Sequence, residues 1–417
     1  MSAQRPFWTS FGPGLLWAAA AIGVSHLVQS TRAGADAGFA LVWVVLAALV
    51  LKYPFFEFGP RYAAATGESL VEGYQRVGRW ALWLYLGITI ATALGIQVVI
   101  VLFSAYLVRF AFGLEWSLAL AVVLVNGACI AVLAVGRFRG LDAVTKAILA
   151  ALTISTLLAA AVSAPRVTEL SWTPWPASGL VPFAFVLALV GWMPSAIDIA
   201  VWSSLWTLAK DRASGSRASV ASALLDFRIG YIGTGVLALA FLVLGAAVMH
   251  GSGESFSPQG TVFASQLVDL YARTLGGWLK PVVVIAVVTT MLSTAVTVVD
   301  GFPRAIGRSV RVLRRQAPDA SRGDETSAYW ITMGVLALAT WAVAARFAST
   351  LTTLIDFVTI VSFMTAPVLG YLNLRVVLSD AVPPEYRPGT ALTRLSWFGL
   401  LLLGGTALGY AVFMIRG

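Results

Sequence analysis

Two short polar interruptions inside apolar segments hold the residues best suited to chemistry. The first apolar segment, residues 15–28, is interrupted by Gly23, Ser25 and His26. Imidazole exchanges a proton near neutral pH and can also bind a metal ion. Polar side chains are costly at the centre of a bilayer. We therefore expect His26 to bind substrate or carry a proton, with simple hydrogen bonding to freed backbone as the alternative.

The second interruption lies in residues 182–206 and consists of Gly191, Met193, Pro194 and Ser195. A break at membrane depth frees backbone N–H and C=O groups that lipid cannot satisfy. A bound solute can satisfy them, and the exposed ends of the two half-helices add their dipoles. Two such breaks at similar depth are typical of a secondary transporter with its site at the bilayer midplane.

These breaks and their neighbours define the candidate residues. The predicted substrate-binding residues are Gly23, Ser25, His26, Gln29, Val190, Met193, Ser195 and Met364. The candidates for coupling transport to a second ion are His26, Asp198 and Glu57. If a metal ion binds, we expect His26 and Met193 to hold it.

Two of the coupling candidates have structural alternatives. Asp198 could instead pair with a nearby Arg or a backbone group. Glu57 and Arg61 are four residues apart on one predicted helix, a spacing that favours an ion pair. Asp300 and Arg304 have the same spacing.

The composition is that of an all-α integral membrane protein. Apolar residues make up 59% of the 417 residues and charged residues 11%, against about 25% charged in soluble domains. Apolar runs long enough to cross about 30 Å of hydrocarbon recur along the chain. We predict eleven spans, at residues 14–33, 40–65, 80–112, 116–135, 142–163, 180–207, 227–249, 279–301, 328–346, 351–376 and 394–414.

The spans form a single transmembrane transporter domain over residues 1–417. Helices 1–5, at about 14–163, and helices 6–10, at about 180–376, would be two halves of opposite orientation. Each half opens with a broken helix, and helix 11, at about 394–414, would be an addition. An odd number of spans in each half requires the inversion.

Basic residues predict the orientation. Of the 28 Lys and Arg residues, 20 fall on the amino-terminal side of the predicted spans, seven on the other side, and Lys52 within a span. The positive-inside rule then places the amino terminus in the cytoplasm and the carboxyl terminus outside a plasma (inner) membrane. The net charge of +9 favours contact with lipid head groups over nucleic acid. A monomer is compatible with the sequence, and the oligomeric state stays open.

Enzyme motifs are absent from the sequence. It contains no P-loop, no G-x-S-x-G, no H-E-x-x-H and, with one cysteine, no Cys pair. We expect neither an enzyme nor a cofactor, so transport would use an ion gradient or run downhill.

Four motifs resemble the Nramp family of divalent-metal transporters. They are F-G-P-G-L-L at residues 11–16, A-G-F and V-W at 37–43, Met193-Pro194, and D-G-F at 300–302. The resemblance implies a LeuT-type fold of the APC superfamily, with a five-plus-five inverted repeat, eleven or twelve spans and broken helices 1 and 6. It also implies secondary transport of a metal ion.

The sequence departs from the family pattern at the implied metal site. The family's first break is D-P-G-N, whose Asp and Asn bind the metal, and here these positions are Gly23 and His26. In the second break the metal-binding Met is kept as Met193, but the His of M-P-H is Ser195. The Gln of the family's tenth helix corresponds to Met364.

Two functions therefore stay open. The first is metal-ion transport through a non-standard site that lacks the metal-binding Asp. The alternative is transport of a neutral or anionic small solute on the same scaffold, held by His26 and a helix dipole. A non-transporting receptor or intramembrane enzyme is a third possibility, with less support. A dication at the midplane needs negative charge, which the first break lacks.

Overall fold

The computed structural model describes residues 12–135, 137–166, 181–315, 326–344, 346 and 350–416. Side chains of residues 137–149 lie outside that description. The main helices are α1 (Pro13–Ala21), α2 (Thr31–Ala37), α3 (Val42–Thr66), α4 (Leu70–Val77), α5 (Arg79–Phe112), α6 (Leu118–Val135), α7 (Arg137–Ser163), α8 (Phe183–Trp192), α9 (Ile199–Ser214), α10 (Val220–Val248), α11 (Gly260–Leu275), α12 (Lys280–Leu313), α13 (Ser327–Ala344), α14 (Leu351–Val377) and α15 (Thr390–Arg416). A π-helical segment, Ser25–Ser30, leads into α2.

The first span is broken at Ile22 and Gly23. Helix α1 ends at Ala21, and Ile22 has extended backbone angles of φ −80° and ψ 93°. The expectation that Ser25 and His26 belong to the break is wrong, because both lie in the π-helical segment where the helix resumes. That segment changes the angular position of the side chains after the break.

The second break covers residues 193–198, between α8 and α9. Met193, Pro194 and Ser195 lie in it, as predicted, whereas Gly191 is still helical. A Cβ atom on Gly191 would lie 2.1 Å from the carbonyl oxygen of Thr359. Gly191 therefore permits close packing of α8 on α14 and does not itself interrupt the helix.

The described residues follow the predicted order of eleven spans. Eight helices in this part of the chain are long and apolar enough to cross a membrane. Helix α7 and the two broken pairs, α1 with α2 and α8 with α9, supply the remaining three. The breaks open spans 1 and 6, as an inverted repeat requires.

Several predicted span boundaries differ from the structure. Span 8 is predicted to end at residue 301, but α12 continues to Leu313. Span 6 is predicted to end at residue 207, but α9 continues to Ser214, and span 7 begins at Val220 instead of 227. The additional turns of α9 and α12 carry charged residues, whereas the additional turns of α10 are mainly apolar. Hydropathy marks the apolar part of a helix, while the helix itself extends beyond the hydrocarbon.

Each half also contains a short helix that the sequence did not predict, between its second and third spans. In the first half this is α4, which begins with a capping box formed by Ser69 and Glu72. In the second half it is α11, whose apolar face buries Phe263, Leu267 and Tyr271. Because the two halves repeat one arrangement of helices, α4 and α11 lie at corresponding positions in the two halves.

Helix α10 packs directly on the first span through glycines. A Cβ on Gly245 would lie 2.1 Å from the Thr31 carbonyl oxygen, and one on Gly34 would lie 1.9 Å from that of Leu242. Such contacts leave no room for any side chain. They hold the half of the first span that follows its break close to α10.

This packing gives a test of the fold. We expect Gly245→Ala to lower the melting temperature of the purified protein by several degrees, because overpacking costs about 1–3 kcal/mol. Gly233→Ala is the control on the same helix, since a Cβ there would meet no atom within 4 Å. Equal melting temperatures for the two variants would contradict the close approach of α2 to α10.

Candidate functional site

A small cavity lies between the two breaks. Its volume is about 30 Å³, which is enough for a water molecule. Helices α5 and α12 complete its wall. The lining residues are Ala20, Ala21, Gly23, Val24, Ser25, Ile96, Ile100, Trp192, Ser195, Ala196, Asp198, Ile199, Trp202, Thr294 and Val298.

Among the described residues, Asp198 is the one ionisable side chain that lines this cavity. Its exposed fraction is 2%, and neither carboxylate oxygen has a hydrogen-bond partner in the described part of the chain. It lies at the cap position before α9, where the positive end of the helix dipole favours an anion. A buried carboxylate without a partner is costly unless it binds a proton or a cation.

Thr294 of α12 brings a hydrogen-bond donor to the backbone freed at the first break. Its hydroxyl lies 2.8 Å from the carbonyl oxygen of Ile22 and 3.0 Å from that of Ala19. A Cβ atom on Gly23 would lie 2.8 Å from the Thr294 methyl carbon. The space beside Gly23 is therefore already filled. The sequence did not predict this contact, although Thr290, Thr294 and Thr297 are polar residues in an apolar helix.

His26 faces α10 and not the cavity. Its side chain is fully buried, with Nε2 3.0 Å from the carbonyl oxygen of Thr234 and Nδ1 2.8 Å from the Ser25 hydroxyl. The Ser25 hydroxyl in turn lies 2.7 Å from the Ala21 carbonyl oxygen. His26 thus ties the first break to α10. This geometry agrees with the alternative stated for His26 from the sequence, in which the side chain only hydrogen-bonds backbone groups.

The structure brings four predicted residues together at the cavity: Gly23, Ser25, Ser195 and Asp198. Met193 is fully buried in the apolar core, and Met364 is partly buried and packs on that core. Neither lines the cavity. The predicted metal pair of His26 and Met193 therefore does not converge on it.

Val190 does not line the cavity, and its carbonyl oxygen accepts a hydrogen bond from Lys52. The Lys52 ammonium lies 2.9 Å from that oxygen, 2.9 Å from the Gly191 carbonyl oxygen and 2.7 Å from that of Ser195. The sequence alone shows Lys52 only as a charge within a span. Its exposed fraction is 1%.

Gln29 belongs to a cluster that does not line the cavity. Its amide nitrogen lies 3.0 Å from Asp356 of α14. Arg32 binds the same carboxylate through two hydrogen bonds of 2.8 and 3.1 Å, and its guanidinium lies 4.7 Å from the ring centre of Phe185. The cluster joins α2 to α8 and α14.

Glu57 lies in a second charged cluster, on α3. Its carboxylate accepts hydrogen bonds from Arg61 and Tyr53, and Arg228 lies 3.4 Å away. The predicted pairing of Glu57 with Arg61 is present, and so is the Asp300–Arg304 pair at 2.7 Å.

The beginning of the first span is held by Asp226 of α10. Its carboxylate accepts hydrogen bonds from the backbone N–H groups of Gly14, at 2.7 Å, and Gly12, at 3.3 Å. The first span is thus held on both sides of its break, by Asp226 before it and by the Arg32–Asp356 cluster after it.

Comparison with known proteins identifies relatives of this chain. The family model Nramp, described as natural resistance-associated macrophage protein-like, matches residues 14–412. An uncharacterized protein of Pasteurella multocida, PM0681, is 33% identical over 404 residues, which is 95% of this chain and 90% of that protein. Natural resistance-associated macrophage protein 1 of Homo sapiens is 36% identical over 90 residues, or 21% of this chain and 16% of that protein.

Solved structures share the fold. The manganese transporter of Eremococcus coleocola aligns with a TM-score of 0.72 at 15% identity, covering 98% of this chain and 88% of that one. MhsT, solved in complex with L-phenylalanine, aligns with a TM-score of 0.59 at 14% identity, covering 94% and 95%.

The two broken helices within an inverted five-plus-five arrangement define a multi-pass membrane transporter with the LeuT-type fold. The family match over almost the whole chain is more specific. The chain belongs to the Nramp family.

The contact between Gly23 and Thr294 can be tested directly. We expect Gly23→Asp alone to lower the melting temperature, because its Cβ would lie 2.8 Å from the Thr294 methyl carbon. The double variant Gly23→Asp/Thr294→Ser removes that methyl group and keeps the hydroxyl. It should regain stability and bind Mn²⁺ more tightly than the wild type in calorimetry. Thr294→Ser alone is the control. A Gly23→Asp variant that is as stable as the wild type would contradict the packing of Gly23 against Thr294.

Proposed function

We propose that the protein is a secondary transporter that moves a small metal cation through the cavity between its two breaks. The observation that carries this proposal is Asp198, a buried carboxylate without a partner among the described residues, on the wall of that cavity. Membership of the Nramp family and the fold shared with a manganese transporter support the same substrate class.

Asp198 supplies the negative charge that the first break lacks. Gly23 stands where the family pattern has its Asp, and the carboxylate that lines the cavity here lies at the second break. At 4 Å and an effective dielectric constant of about 20, a carboxylate attracts each unit of cation charge by about 4 kcal/mol. An attraction of this size is large enough for the charge of Asp198 to determine whether a cation binds.

The neutral groups beside Asp198 favour a hard cation. The hydroxyl-bearing residues Ser25 and Ser195 line the cavity. Oxygen donors suit Mg²⁺, Mn²⁺ and Ca²⁺ better than soft ions. The described residues contain no group of three or more His, Cys, Asp or Glu side chains that could hold a metal ion. We infer a site with one carboxylate, so it would bind its substrate weakly enough to release it.

The size of the cavity is compatible with an ion. Its volume of about 30 Å³ is enough for a water molecule or an ion of similar size. Asp198 would also serve coupling, since the same carboxylate can bind either a proton or the cation. His26 would act indirectly, by holding the first break against α10.

We propose further that the protein lies in the plasma (inner) membrane as a monomer, with its amino terminus in the cytoplasm and its carboxyl terminus outside. The unequal distribution of Lys and Arg between the two sides supports this orientation.

Asp198→Asn tests the proposed function. In proteoliposomes we expect it to reduce Mn²⁺ uptake roughly 100-fold or more, because the neutral amide removes the charge that binds the cation. The control is Asp380→Asn, the same chemical change on a fully exposed side chain far along the sequence from both breaks. Melting temperatures of both variants would show that each is folded.

Uptake that is equal in Asp198→Asn and in the wild type would contradict the proposal. Uptake lost equally in Asp380→Asn would also contradict it, because the effect would then not belong to the cavity.

A neutral or anionic small solute is the second candidate, and one observation favours it. The first break carries no acidic residue, and the Lys52 ammonium already occupies three carbonyl oxygens at the second break. In a thermal-shift panel, this candidate predicts stabilisation by amino acids or small carboxylates and none by Mn²⁺. A ligand that binds the folded state raises the melting temperature by mass action.

A further inference from the structure

The Lys52 ammonium is held in a way that is unusual for a buried lysine. Its hydrogen-bond partners among the described residues are the backbone carbonyls of Val190, Gly191 and Ser195, at 2.9, 2.9 and 2.7 Å. No acidic side chain in the described part of the chain forms an ion pair with it. The ring of Phe56, with its centre 5.6 Å from Nζ, adds a weaker cation–π contact.

These carbonyls are available because α8 ends at Trp192 inside the membrane. The last carbonyl groups of a helix have no partner within that helix, and they carry the negative end of its dipole. The extended backbone of the second break adds the Ser195 carbonyl to the same point. Three backbone oxygens around one position resemble the carbonyl rings with which channels replace the hydration shell of an ion.

We propose that the Val190, Gly191 and Ser195 carbonyls form a site for a monovalent cation, and that this chain fills the site with its own Lys52 ammonium. The cation that binds the carbonyls of the second break is then part of the chain itself, on the Lys52 side chain of α3. This inference does not depend on which substrate the transporter moves.

The site is distinct from the cavity that contains Asp198. Lys52 does not line that cavity, and it reaches the break from α3. Ser195 connects the two, because the residue lines the cavity while its carbonyl oxygen binds Lys52. The tethered ammonium therefore positions one wall of the cavity. A free cation cannot use these three carbonyls while Lys52 is present.

Removing the ammonium should make the protein responsive to free monovalent cations. We would measure the melting temperature of purified Lys52→Met in ammonium, potassium, sodium and choline chloride at equal ionic strength. We expect a loss of about 5 °C or more in choline, because three hydrogen bonds to a buried charge are lost. At least one of the three small cations should restore part of it, since choline is too large to enter. The wild type should show no difference among the four salts.

Lys280→Met is the matched control. Lys280 is half exposed and pairs with Asp269 at 2.9 Å, away from both breaks. It should respond alike to all four salts, so a specific response of Lys52→Met would belong to the carbonyl site.

A melting temperature of Lys52→Met that is the same in all four salts would overturn the proposal. Lys52→Gln keeps a neutral donor for the carbonyls and decides the question if Lys52→Met does not fold. If Lys52→Gln is as stable as the wild type and insensitive to the salts, the carbonyls need only a hydrogen-bond donor and the proposal fails. Because this readout is stability and not uptake, the result is independent of the Asp198 experiment.

Discussion

The structure depends on how backbone groups are satisfied where two helices break inside a membrane. Lipid offers no hydrogen bonds there, so each freed carbonyl needs a partner from the protein or from a bound solute. At the first break Thr294 lies within hydrogen-bonding distance of the Ile22 and Ala19 carbonyls. At the second break Lys52 occupies three carbonyls. The broken helices are therefore stable features of the fold, and only part of their polar surface faces the cavity.

The two breaks contribute different groups to the cavity. Beside Gly23 the space is filled by the Thr294 methyl group. The carboxylate that lines the cavity, Asp198, lies at the other break. In this chain the fold therefore sets the shape of the cavity, while a single side chain supplies its charge.

The class of protein could be predicted from the sequence because hydropathy and span order are long-range, redundant signals. Both breaks were also visible, since Gly23 and Met193-Pro194 interrupt strongly apolar runs. The direction in which a single side chain points could not be predicted. His26 points to Thr234 because a π-helical segment follows the break, and residue spacing alone gives no sign of that. The carbonyl groups that bind Lys52 lie 138 or more residues away in the sequence, so a local sequence pattern cannot show them.

The first span is fastened at its two ends to different parts of the molecule. The half before the break is held by Asp226 of α10, a residue with an exposed fraction of 1%, and the half after it by Asp356 of α14, whose side chain is 27% exposed. Water can compensate a partly exposed ion pair as it separates, but not buried carboxylate–amide bonds. The half after the break also packs on α10 through Gly34 and Gly245. The two halves of one span therefore differ in what must be broken to move them: buried hydrogen bonds to backbone for the first, and an ion pair together with close helix packing for the second.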